Sequence, residues 1–574
     1  MKWALVGIKL GAVVLFVALT NNTENIGERL EHLHRLYDGY RGILAFLFLW
    51  LLCVTGLLAN AFLPKFWQRL VVALPSLAGT VVGVAYETVS GVEINFDSAA
   101  IMHEGIAHID AATAFYARPI LVASALSAVG AIGLLLPWQP RAEHTSGPGR
   151  ALWSRWSRIG VPLVAIAPFV LLIVLVVVRG GYGTSRLPVH QKVPSLFFVI
   201  ELSERLAPEQ PREPVELEHA GVQSGQPHVL LVVDESVRGD FLDLNVRRAT
   251  TPGLAKHSAA ISNFGHAVAA GNCSASSHLI IRSGAMPQNL LDDVRTRPLI
   301  WDYARQASVN AVYLEAQASP LEPNNRMSLR EREQIPETIY AEGLDRLARD
   351  LDALETIREL LKREEPQFIV LVKSGLHFPY EYSYPPSWQP FRPHQQPGDG
   401  IQDKERLENS YKNAISYNTD RFFERMFSTL DLDRTVLLYT ADHGQNLLDS
   451  PIQLTHCSNS NTSPYEGLVP LLVATDHPEW EQRFEAAAAR NWNRASHFNL
   501  FATLLVLFGY DPEAVAGTYE PSLLDPIESE YEFVSGLVSE YRLAFGARVE
   551  LKTHRIPREI LDSARRQAEP GPRP

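Results

Sequence analysis

The stretch His228–Arg238, HVLLVVDESVR, decides how this chain is read. HVLLVV is a short apolar run without polar alternation, and two acids and a hydroxyl follow it directly. Leu/Val-rich runs of this length are expected of strands buried on both faces of a parallel sheet. Similar runs recur at Phe368–Val372 (FIVLV), Thr435–Tyr439 (TVLLY) and Val469–Val473 (VPLLV). Helical patterns lie between them: Glu342–Arg363, with leucines at helical spacing, and Leu407–Thr429. Strands alternating with helices predict an α/β domain with a mostly parallel central sheet.

The residues just past these runs carry the chemistry. They are Asp234-Glu235-Ser236, then Ser374-Gly375-Leu376-His377, then Ala441-Asp442-His443-Gly444. In open α/β sheets the site lies beyond the carboxyl ends of the strands. Separate parts of the chain therefore deliver carboxylates and imidazoles to one edge. Such oxygen and nitrogen donors suit a divalent cation, zinc before manganese. Taken singly, Asp234 reads equally well as a helix N-cap, and one histidine reads as a hydrogen-bonded loop residue. The repetition at strand ends favours a site.

Upstream the character changes. Five apolar stretches, at about Trp3–Leu19, Ile43–Phe62, Leu70–Tyr86, Ala114–Trp138 and Ile159–Val178, approach the roughly 20 helical residues that cross a hydrocarbon core. The first lacks a clear small-residue cleavage site and is read as retained. Lys65 and Arg69 follow the second stretch, and Arg141, Arg150, Arg155 and Arg158 follow the fourth. The loops after the first and third carry Glu24, Glu28, Glu31, Glu87, Glu93, Asp97 and Glu104. The basic loops are expected inside, which puts everything after Arg179 outside, in the periplasm of a Gram-negative cell. Segment Val193–Leu206 is amphipathic and reads either as an interfacial helix or as an ordinary packed one. The expected organisation is a five-helix transmembrane domain (1–180), a juxtamembrane linker (181–226), a catalytic domain (227–567) and a Pro-rich disordered tail (568–574). A net charge of −12 over 574 residues argues against a nucleic-acid partner. Of the 3 cysteines, Cys53 lies in an apolar run, and the sequence leaves open whether Cys273 and Cys457 bridge.

The motifs in order are DES-x-R (234–238), N-C-S-A-S (272–276), S-G-x-H (374–377), A-D-H-G (441–444) and T-H (455–456). This order resembles the sulfatase/alkaline-phosphatase superfamily, and with five preceding spans it is most similar to the membrane phosphoethanolamine transferases. Thr251-Pro252, Tyr411–Asp420 (YKNAISYNTD) and Ser496–Phe508 (SHFNLFATLLVLF) resemble further motifs of that family. The resemblance implies Glu235, Asp442, His443 and Ser274 as metal ligands and Ser274 as nucleophile. It implies His377 and His456 beside the transferred phosphoryl group or a second metal, and Asn413 in substrate binding. Glu87, Thr88 and Glu93, expected in a loop Tyr86–Phe96, resemble residues placed by a donor headgroup. Ser274 also reads as a plain helix N-cap, although a helix start is where backbone N–H groups favour an oxyanion.

The implied reaction moves phosphoethanolamine from phosphatidylethanolamine, through a covalent Ser274 ester, to lipid A, core oligosaccharide or a glucan, in the inner membrane. A phosphoglycerol transferase, a sulfatase-like hydrolase and a non-enzymatic lipid-binding relative are the alternatives. A sulfatase needs C/S-x-P-x-R, and from Ser274 those places hold Ser276 and His278. The chain departs from the family pattern at Ser274 (for Thr), and at Asp234 and Cys273 (each for Gly).

Overall fold

A computed structural model describes residues 2–21, 26–36, 39–104, 116–137, 159–206, 211–219, 225–317, 325–341, 345–397, 399–459, 461–536 and 551–564. The described residues fall into two compact units, one up to residue 206 and one from 211 onward. The expected tail 568–574 and the basic loop 141–158 lie outside them.

Among the described residues of the first unit, four helices are long and apolar enough to cross a membrane: Arg41–Ala61, Phe66–Ser90, Ala117–Leu135 and Val161–Val178. The expected first span is the helix Lys2–Thr20, whose apolar part, Ala4–Thr20, is shorter. Five spans is therefore an approximate count. Small residues let these helices approach closely: a Cβ on Gly130 or Gly133 would collide with Phe16 or Val13 of the first helix. The segment expected from 193 is the helix Val189–Leu206, and one face of it is packed. Val193, Leu196, Val199 and Ile200 are buried, and Pro194 and Val189 abut Gly79 and Gly83. The expected 181–226 linker is thus divided between the two units.

The second unit is built on a sheet with strand order β2-β7-β6-β1-β5-β3-β4. The strands are β1 (His228–Asp234), β2 (Ile261–Val268), β3 (Asn310–Glu315), β4 (Glu337–Tyr340), β5 (Gln367–Val372), β6 (Thr435–Ala441) and β7 (Leu468–Ala474). All four apolar runs are strands, and β1, β5, β6 and β7 are buried along their whole length. The stretch from β6 through β1, β5 and β3 to β4 is parallel, while β7 runs antiparallel to both its neighbours. The expected helices appear as Arg349–Leu360, and as Lys404–Ile415 continued by Ser416–Asp420 and Arg421–Thr429. A small second sheet pairs β8 (Phe533–Ser535) with β9 (Lys552–His554).

Candidate functional site

Register builds the site. In the parallel pair of β1 and β6, Asp234 sits opposite Ala441, so the next residues out, Glu235 and Asp442, emerge side by side. One ligand atom from each of Glu235, Asp442 and His443 lies within 4.8 Å of the others, all three residues being buried. His443 Nε2 is 3.8 Å from Glu235 Oε1 and 3.6 Å from Asp442 Oδ2. Ser274 opens the helix Ser274–Ser283, and its Oγ lies 3.2 Å from His443 Nε2. The His456 ring stacks on that of His443 at 4.5 Å, and His377 lies 6.2 Å from His456.

These side chains are held from behind. Asp442 Oδ1 accepts the N–H groups of Ser236 (2.9 Å) and His443 (2.8 Å). Glu235 accepts from Ser236 Oγ (2.5 Å) and Gln317 Nε2 (3.0 Å). His443 Nδ1 donates to Gly444 O at 2.7 Å, leaving Nε2 as the free acceptor. Asp442 Oδ2, by contrast, is buried with no hydrogen-bond partner among the described residues. A buried carboxylate oxygen facing a second carboxylate and an imidazole, with no donor of its own, fits a divalent cation. The electrostatics agree. Burial, then Glu235, pushes the Asp442 carboxyl up to about 6. His443 is raised: burial opposes this, but Asp442 and Glu235 outweigh it. Burial and then Arg346 bring His377 down to about 4, and burial followed by His443 and His377 holds His456 well below the ordinary range. Both imidazoles are neutral at neutral pH.

Beneath Glu235 lies a charged pair that sequence reading missed. Lys373 Nζ is 2.5 Å from Asp234 Oδ2, both side chains being 0% exposed. Tyr439 Oη donates to the same oxygen at 2.7 Å and Thr419 Oγ1 at 3.3 Å, while Asp234 Oδ1 accepts Glu235 N–H at 2.9 Å. Asp350 takes the backbone N–H groups of Ser374 and Gly375, at 2.7 and 3.0 Å. Gly375 has φ +47, and a Cβ there would lie 2.6 Å from Asp234 Oδ1 and 2.7 Å from Glu235 Cβ, so only glycine fits this approach. Lys373 was findable as a charge directly following a fully apolar strand. Gln317 left no signal in the sequence.

Residues 227–510 match the family model described as Sulfatase. That part of the chain belongs to the sulfatase family. Its nearer likenesses within that family are phosphoethanolamine transferases, as the motif order implied. It is 28% identical over 297 residues to phosphoethanolamine transferase EptA of Salmonella typhimurium, covering 49% of this chain and 53% of that one. It is 24% identical over 301 residues to the Kdo(2)-lipid A phosphoethanolamine 7''-transferase of the same organism, covering 49% and 52%. The chain thus spans about half the length of the curated relatives it matches. The integral membrane lipooligosaccharide phosphoethanolamine transferase A of Neisseria meningitidis shares its fold, with a TM-score of 0.60 at 18% identity over 88% of this chain and 95% of that one.

Within this sulfatase-family frame, the expected residues divide. Glu235, Ser274, Asp442 and His443 converge, with His456 and His377 beside them. Asn413 does not join them: it is 0% exposed, and its amide is spent on the backbone of Phe391, accepting at 2.9 Å and donating at 3.0 Å. It braces a loop. In the same motif Tyr411 Oη donates to Ser236 O and accepts from Arg238 N–H, and Asp420 accepts the N–H groups of Gly253 and Leu254, just after Thr251-Pro252. Glu87, Thr88 and Glu93 belong to the first unit. The expected loop Tyr86–Phe96 is helical through Ser90, so Glu87 and Thr88 sit in a last helical turn. Thr88 Oγ1 donates to Val84 O, and Glu87 is 3.9 Å from Arg186. Glu93 is held by Lys192 at 2.9 Å, by Ser185 and by Arg186 N–H, so it already has its own cation.

Proposed function

We propose that this chain transfers phosphoethanolamine from a phosphatidylethanolamine donor to an envelope glycolipid or glycan, lipid A phosphate foremost, through a covalent ester on Ser274. The observation that carries the reading is the 3.2 Å approach of Ser274 Oγ to His443 Nε2 beside Glu235 and Asp442. Ser274 Oγ attacks the donor phosphorus. The Ser–O–P bond forms as the bond to the diacylglycerol oxygen breaks, and the hydroxyl proton ends on that oxygen. His377 and His456, neutral bases beside the site, are the groups that carry it. The acceptor oxygen then attacks the same phosphorus, and Ser274 leaves with the acceptor's proton. Glu235, Asp442, His443 and Ser274 are the ligand set, with zinc as the cation that best suits these donors. A divalent cation held there supplies Lewis acidity, which lowers the hydroxyl pKa and neutralises phosphoryl charge. The helix N-terminus at Ser274 adds backbone donors for that charge.

Glu87, Thr88 and Glu93 are proposed donor-headgroup contacts, with Glu93 acting through its Lys192 pair. The catalytic domain, 227–567, works on the periplasmic side of the inner membrane, anchored by residues 1–180. The test is mass spectrometry of envelope glycolipids from cells with the wild-type chain, with Ser274→Ala, and with neither. Added phosphoethanolamine is expected only with the wild type. Full addition with Ser274→Ala at normal expression removes the nucleophile assignment, and added phosphoglycerol selects the other transferase.

A further inference from the structure

Cys273 and Cys457 are 184 residues apart in sequence, yet they are bridged, with Cα atoms 4.7 Å apart. Each adjoins a residue of the candidate site: Cys273 immediately precedes Ser274, and Cys457 immediately follows His456. Cys273 is the N-cap of the helix that Ser274 opens. Non-covalent contacts follow the bridge. Cys457 N–H donates to Asn272 O at 2.8 Å, and Asn272 Nδ2 donates to Ser458 O at 2.8 Å. Both loops also meet Glu466, whose carboxylate accepts from Asn272 Nδ2 (2.7 Å) and Ser458 Oγ (2.7 Å). Cys457 has φ +56, a left-handed conformation that a non-glycine residue adopts when its surroundings hold it there. The two loops deliver their side chains to one imidazole: Ser274 Oγ meets His443 Nε2 at 3.2 Å, and His456 stacks on the His443 ring at 4.5 Å.

We infer that the Cys273–Cys457 disulfide is a positioning element of the reaction, fixing Ser274 against His456 so that turnover per folded molecule depends on the intact bridge. Glu235, Asp442 and His443, three of the four proposed ligands, reach the site from β1 and β6 independently of the bridge, so the cation stays bound through these three when Ser274 is displaced. The inference rests on the proposed transferase only for the identity of the substrate. A disulfide closing so long a loop also stabilises a fold globally, and the experiment has to separate that effect from positioning.

The full-length chain in detergent micelles is compared as wild type, Cys273→Ser, Cys457→Ser and the double variant, and as wild type treated with a water-soluble phosphine. That reduction takes two electrons from the phosphine. Water supplies the oxygen of the phosphine oxide and the two protons of the new thiols. Diacylglycerol release from phosphatidylethanolamine and cleavage of bis(p-nitrophenyl) phosphate are measured well below each sample's melting temperature, with bound metal determined by elemental analysis. Expected is a kcat loss of about tenfold or more, with KM and metal content unchanged, alike in all four unbridged samples. Unbridged samples whose kcat stays within about twofold while only their melting temperature falls make the bridge a staple and overturn the inference. Metal lost in step with kcat overturns it too. A wild type that cleaves the model diester but not the lipid rejects the donor, and the comparison is then read on the diester. The crystal structure of the double variant reads positioning without turnover: Ser274 and His456 drawn apart is expected, and unchanged positions overturn the inference.

Discussion

Replacing Lys373 with Met removes a cation from a place that water does not reach. The Lys373 ammonium lies 2.5 Å from Asp234 and 4.0 Å from Asp350, and the Lys373 and Asp234 side chains are 0% exposed. After Lys373→Met, Asp234 keeps the Tyr439 and Thr419 hydroxyls and the Glu235 N–H but loses its counter-charge next to the Glu235 and Asp442 carboxylates. Breaking a buried pair from one side costs about 3–5 kcal/mol, whereas removing both charges together is close to neutral. At about 2 °C per kcal/mol for a domain of this size, Lys373→Met should lower the melting temperature by roughly 6–10 °C. Asp234→Asn/Lys373→Met should recover most of that loss. The assay is calorimetric unfolding of the full-length chain in detergent, for both single variants and the double. A single variant that melts within about 1 °C of wild type refutes the reasoning. A double variant as unstable as the worse single variant refutes it equally, because the coupling between the two charges would then be absent.

Asp442→Asn and His443→Ala should each weaken metal binding at least tenfold, measured by elemental analysis after dialysis; an unchanged stoichiometry counts against the cation site. Glu466→Gln should flatten the pH dependence of stability. Burial raises the Glu466 carboxyl from 4.5 to about 7, so the folded state holds a proton that the unfolded chain releases. Stability is then full below about pH 4.5 and is lost as pH rises to about 7, by on the order of 3 kcal/mol. The melting temperature of wild type should therefore fall more between pH 5 and pH 8 than that of the variant, and parallel curves would reject this. A phosphatase reporter fused after Gln226 should be active outside the cytoplasm; a cytoplasmic signal reverses the assigned orientation.

Four strands of the central sheet were legible because burial on both faces leaves an unbroken apolar run, as in HVLLVV and FIVLV. The other three were not. Strand β2, ISNFGHAV, is interrupted by Asn263, Gly265 and His266, and its register shifts between Asn263 and His266. Strand β3 ends in Glu315, and β4 is short and half-buried. The residues of the candidate site were legible because chemistry restricts which side chains serve at strand ends, and their order along the chain survives in the motifs. The contacts of Asn413 were not legible for the opposite reason: an amide looks the same in a sequence whether it faces a substrate or the backbone of Phe391.

The sequence by itself determined the α/β class, the apolar helices before it and the residues Glu235, Ser274, Asp442 and His443. These follow from local burial patterns and from residue types, which a chain displays without folding. Only the tertiary structure decided that Lys373 answers Asp234, that Cys273 meets Cys457, and that the helix Val189–Leu206 is packed. The physical reason is register. With Val233 opposite Val372, the next residues, Asp234 and Lys373, are brought together, and with Asp234 opposite Ala441, Glu235 comes beside Asp442. A slip of one residue turns every one of these side chains to the other face, and nothing local in the sequence forbids it; the packing of the whole sheet does.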